Sequence, residues 1–166
     1  KTTELPADIR WHFIGHLQTN KIKLIIDRVT LFHSVDSMRL LNELNTFAQK
    51  SGITVKTLLQ EHISGEETKQ GFSRSELIQA AELSKTLSYI RVCGLMGMAS
   101  LSNDQEVIVR EFHSLKDSFL MLKETIFKGE SNFSEISMGM SSDYHIAIRE
   151  GSTIVRVGSK IFGERY

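Results

Sequence analysis

The chain has 166 residues, and Lys+Arg and Asp+Glu both number 20, so the formal net charge is zero. That balance argues against a broad nucleic-acid footprint or an anionic membrane surface as partner. With 40% hydrophobic and 24% charged residues the composition is that of one globular domain, and no apolar run approaches the roughly 20 residues of a membrane helix.

Short β-rich runs alternate with longer amphipathic segments. The first run is "WHFIGHL", 11–17, followed by a helical pattern around 18–28. The second is "VTLFHSV", 29–35; a helix from Ser37 to Lys50 follows, with Ser37 as N-cap and Leu40, Leu41, Leu44, Phe47 and Ala48 on one face. The third run spans 54–64. Ser73 then caps a helix to about Ser88, with Glu76 completing an S-x-x-E capping box. The fourth run, "IRVCGLMGMA", 90–99, precedes a helix over 104–127 whose stripe is Val107, Phe112, Leu115, Phe119 and Leu122. The fifth, "FSEISMGM", 133–140, leads to a helix around 142–150 capped by Ser141 or Ser142, and the sixth, "STIVRVGSKIFG", covers 152–163. Repeated βα units imply a parallel sheet with helices outside it. An eight-stranded barrel and an open doubly wound sheet both fit. In either, the C-terminal strand ends share one face, where polar and glycine residues cluster.

Alternation along the sixth run puts Ile154, Arg156 and Gly158 on one face. Two uses fit Arg156: pairing with a carboxylate, or holding a ligand whose phosphate meets Gly158 and Ser159. The stretch "SMGMSSD", 137–143, offers hydroxyls at a strand-to-helix junction, for an anion or simply for capping. His12 and His16 share a strand face in this reading, but no carboxylate or thiol stands near them in sequence, so a metal site is not expected. His16 suits the site lining and His12 a structural place. Glu66, Glu67 and Lys69 form a polar loop of catalytic residue types, although such loops are ordinarily just solvated. Cys93, the single cysteine, reads as an inert core thiol, excludes an internal disulfide and fits a reducing compartment such as the cytoplasm. Met96 and Met98 fill space or contact a flat ring.

Together, "WHFIGHLQTNK", "HSVDS", "GLMGMA" and "SMGMSSDYHIAIREGSTIVRVGSKIFGER" resemble, in order and spacing, the pyridoxal phosphate homeostasis protein family, whose barrel is similar to the N-terminal domain of alanine racemase. The resemblance covers essentially the whole chain. It implies an α/β fold, a TIM-like (β/α)8 barrel, binding pyridoxal 5′-phosphate (PLP) in its C-terminal mouth, with residues 1–166 as a single domain. The six runs match family strands three to eight. The family's first two strands, its leading helix and its Schiff-base lysine have no counterpart, so the chain, which opens on Lys1, is expected to be N-terminally incomplete. None of its lysines, Lys160 included, matches the Schiff-base position, and no catalytic residue is assigned.

By the same resemblance, Arg156 faces the pyridine nitrogen. Ser137, Gly158 and Ser159 hold the phosphate, bordered by Gly139 and Met140, and His16, Met96 and Ser34 lie near the mouth. An arginine only donates hydrogen bonds, so it favours an unprotonated pyridine and a weaker electron sink. That suits either a racemase of restricted chemistry or a carrier that should not run side reactions, and the family resemblance favours the carrier: a monomeric, cytoplasmic protein that buffers PLP and delivers it to PLP-dependent apo-enzymes. A PLP-dependent alanine-type racemase and a binder of some other phosphate ester are the competing functions.

Overall fold

The computed structural model describes residues 6, 8–66 and 70–163. Six strands form one parallel sheet in the order of the sequence: β1 (Trp11–Phe13), β2 (Val29–Val35), β3 (Val55–Glu61), β4 (Ile90–Gly97), β5 (Glu135–Met140) and β6 (Ile154–Arg156). Between them run a 3-10 helix (Thr19–Leu24) and helices α1 (Met38–Ser51), α2 (Arg74–Thr86), α3 (Gln105–Glu124) and α4 (Tyr144–Arg149), with α5 (Ser159–Phe162) last.

Local chemistry sets the element ends. Ser37 Oγ accepts from Leu40 N–H at the start of α1, and Gly52, at φ +66°, ends it with its N–H bonded to Ala48 and Gln49 carbonyls. At α2 the capping box is complete: Ser73 Oγ accepts from Glu76 N–H, and Glu76 Oε2 accepts from Ser73 N–H at 2.9 Å. Asp104 caps α3.

Strand alternation divides the apolar residues into two sets. Val55 and Leu59 of β3 and Val92 and Leu95 of β4 face the helices, where Leu44, Leu77, Phe112 and Leu115 complete the main core. The opposite, concave face carries a small cluster of Leu31, Leu58, Cys93 and Met96, extended by Met98 and Ile154. At Gly94 the backbones of β4 and β5 approach so closely that a Cβ would lie 1.8 Å from the Glu135 carbonyl oxygen. Only glycine permits that approach.

Of the boundaries that differ from the sequence reading, three bear on the site. β1 stops at Phe13, because Gly15, at φ +106°, turns the chain and donates its N–H to Ser34 Oγ at 3.0 Å. His12 and His16 therefore share no strand face. β6 stops at Arg156, and residues 159–162 coil into α5 instead of extending the strand. The N-cap position of α4 belongs to Asp143, not to Ser141 or Ser142; its carboxylate accepts from Met140 N–H and makes no capping bond to the helix. Glu67 and Lys69, considered above as loop candidates, lie outside the described residues. Glu66 accepts from Leu101 N–H at 3.0 Å, which ties its loop to the β4–α3 loop.

The helix-facing layer also holds a carboxyl group. Glu61, 3% exposed, accepts from Ser118 Oγ at 2.7 Å through Oε1, and Oε2 has no hydrogen-bond partner. Burial pushes its pKa up to about 7 against the smaller opposing effects of Ser118 and Arg74. The folded state therefore binds this proton more tightly than the unfolded chain. Stability contributed by the protonated form is full below the unfolded value and falls as pH rises toward 7. Glu61→Gln should flatten this slope and stabilise the protein at pH 8 by about 2 kcal/mol, as read by urea unfolding at a series of pH values.

Candidate functional site

Three strands meet at one guanidinium. Arg156, the last residue of β6, donates from Nη1 to Ser137 Oγ of β5 at 2.8 Å and from Nη2 to the Gly97 carbonyl of β4 at 2.9 Å. Among the described residues no carboxylate lies within ion-pair distance of it. Burial lowers its pKa to about 10, with Asp143 pulling the other way, so it stays a cation at neutral pH.

Behind Ser137 stands His33 of β2. Its Nδ1 lies 2.9 Å from Ser137 Oγ, and its Nε2 lies 2.9 Å from His12 Nδ1 of β1. Ser137 and His33 are both fully buried. Burial, then His12, then Arg156 push the His33 pKa down to about 3, so the ring is neutral at physiological pH.

At the C-terminal strand ends a second group forms. Met140 and Arg156 are register partners across β5 and β6, so the residues just beyond them lie side by side. Gly158 N–H donates to Ser141 Oγ at 3.1 Å. A Cβ on Gly158 would meet nothing within 4 Å, so open space adjoins its backbone. Ser159 follows it with an exposed side chain.

The remaining sequence candidates take varied places. Met96 is fully buried in the concave-face cluster, whereas Met140 is 37% exposed. Gly139, at φ +94°, lies under α4, where a Cβ would sit 2.5 Å from Ala147 Cβ. That close approach explains a glycine between two methionines. His16 is half-exposed, with Nδ1 3.6 Å from Asp36, while His12 points to His33, so the two histidines serve different partners. Ser34 is committed to the Gly15 turn. Ser137 is committed to Arg156 and His33, and Ser141 is the hydroxyl that meets Gly158. Lys160 Nζ lies over the Tyr144 ring, 4.7 Å from its centroid. The sequence reading did not single out His33, the Gly97 carbonyl or the Ser141–Gly158 pair. Alternation from Leu31 along β2 was the available signal for His33.

Known proteins place this arrangement. The sequence profile of the alanine racemase N-terminal domain matches residues 4–166. The pyridoxal phosphate homeostasis protein of Aquifex aeolicus is 38% identical over 160 residues, 95% of this chain and 68% of that protein. The chain belongs to the pyridoxal phosphate homeostasis protein family. The human member of the family is 36% identical, covering 99% of this chain and 62% of that protein. The chain thus spans about two thirds of the length of these curated relatives. PipY of Synechococcus elongatus, solved with PLP bound, superposes with a TM-score of 0.81 at 32% identity, over 98% of this chain and 74% of PipY. Alanine racemase of Clostridium difficile, at a TM-score of 0.72 and 14% identity over 95% of this chain and 40% of that one, shares the fold. The expected barrel type is therefore correct, and the six strands are its parallel, helix-backed wall.

Gly139→Ala should destabilise the family member by about 2 kcal/mol or more, because left-handed φ and the contact with α4 act together; thermal unfolding followed by circular dichroism measures it.

Proposed function

We propose that this chain forms a PLP-binding site at the C-terminal end of its sheet and serves PLP homeostasis, buffering the cofactor and delivering it to apo-enzymes. The observation that carries the reading is Arg156, a half-buried cation held by a hydroxyl and a carbonyl and by no carboxylate among the described residues. Such a guanidinium suits a neutral acceptor with a lone pair, as a pyridine nitrogen is. One step further out, beside the open space at Gly158, the hydroxyls of Ser141 and Ser159 can donate to a phosphate, while Gly158 N–H is bonded to Ser141 Oγ. The donor set therefore fits PLP at both ends. Ser137 serves the ring end in this reading, through Arg156.

PLP supplies a reactive aldehyde and an electron-withdrawing ring. This chain's residues bind and orient it. Arg156 offers the ring nitrogen no proton it can give up, so the site favours storage over strong carbanion stabilisation. PipY with PLP bound and the names of the curated relatives support the homeostasis reading. The racemase alternative leans on structures of 14 and 16% identity, which share the fold alone. No helix among the described residues is long and apolar enough to cross a membrane; a monomer in the cytoplasm completes the proposal, with residues 1–166 as one domain matching strands three to eight of the barrel.

The test titrates PLP into the full natural polypeptide that contains these 166 residues and follows absorbance near the visible edge. Saturable binding is expected, with Arg156→Ala and Ser141→Ala each weakening it about tenfold. No binding at micromolar PLP sinks the proposal. Racemisation of L-alanine at about one turnover per second or faster would establish the enzyme instead.

A further inference from the structure

We propose that His33 is a positioning residue for Arg156: it acts through Ser137, with His12 behind it, to fix the guanidinium edge that meets the ligand ring. The inference rests on the PLP reading above.

The argument begins from what each group can do. Arg156 has donors only, so Ser137 Oγ must accept from Nη1. Ser137 is fully buried, and its own proton needs an acceptor. The other neighbour hydrogen-bonded to that hydroxyl is His33 Nδ1, at 2.9 Å. His33 Nδ1 is then bare and its proton sits on Nε2, which donates to His12 Nδ1 at 2.9 Å. The chain runs one way: Arg156 to Ser137 to His33 to His12. The reverse tautomer of His33 would put two donors on Ser137 and strand the serine proton in the core, at the cost of an unsatisfied buried group.

The direction has a consequence for the ligand. With Ser137 Oγ polarised toward His33, its lone pairs are free for Arg156, and the guanidinium plane is pinned between β4 and β5. His33 neutrality matters as well, because a second cation so close would repel Arg156. The depressed His33 pKa agrees with that requirement. His12, exposed on the first strand, closes the chain and leaves its own far nitrogen to take the last proton.

The experiment uses the full natural polypeptide, with PLP affinity and ring-nitrogen NMR as readouts. His33→Leu should weaken PLP binding about 5- to 30-fold, whereas His33→Asn, whose side-chain oxygen stands where Nδ1 stood, should stay within about 3-fold of wild type. In an Arg156→Ala background, His33→Leu should add nothing, since the residue acts through Arg156. Equal binding by His33→Leu and wild type would overturn the inference. So would an undiminished loss in the Arg156→Ala background, which marks a merely structural role. The NMR readout needs no PLP: His33 should carry its proton on Nε2, and a proton on Nδ1 overturns the inference by itself. If wild type binds no PLP, the proposed function fails and the tautomer measurement still decides the direction of the chain.

Discussion

The Arg156 guanidinium is half-buried and keeps its charge at neutral pH, so the side of it turned into the sheet depends on partners from the fold. The fold supplies Gly97 from β4, Ser137 from β5 and, through Ser137, His33 from β2. These groups are spread over about 120 residues of chain yet are joined through Arg156 and Ser137 by three hydrogen bonds. The site therefore exists only while the register of the inner strands is held. A one-residue slip of β5 would send Ser137 to the helix side and bring Ile136 or Met138 against Arg156.

Glycines are part of what holds that register. Gly94 lets β4 and β5 approach where a methyl group would collide with the Glu135 carbonyl. Gly139 does the same between β5 and α4, just before the mouth residues Met140 and Ser141. The stacked Phe119, Phe127 and Phe133 rings and the α3 stripe press on the outer side of the same strands. Packing energy on the helix side thus stabilises polar geometry on the concave side, which by itself buries little apolar surface.

Much of the fold was legible before any coordinates. β2 and β4, apolar and β-branched, lie where their runs predict, and α1 and α2 begin at the capping serines Ser37 and Ser73. The ends of the molecule's sheet were less legible. "WHFIGHL" and "STIVRVGSKIFG" look like long strands, but a side-chain hydroxyl at Ser34 captures the Gly15 N–H, and Ser141 captures the Gly158 N–H where the chain leaves β6 and coils into α5. Neither event has a periodic signal, because each depends on one residue meeting another far away in sequence.

The residues by themselves determined the repeated βα order, the shared face of Arg156 and the strand around it, and the chemical limits of an arginine that donates and never accepts. These follow from side-chain type and from the two-residue repeat of a strand, both local properties. Tertiary structure decided which neighbours Arg156 has, that no described carboxylate is among them, that Ser141 and not Ser137 meets Gly158, and that His33 stands behind the serine. Those facts are cross-strand contacts, fixed by register and by curvature of the sheet, and no window of one sequence contains them.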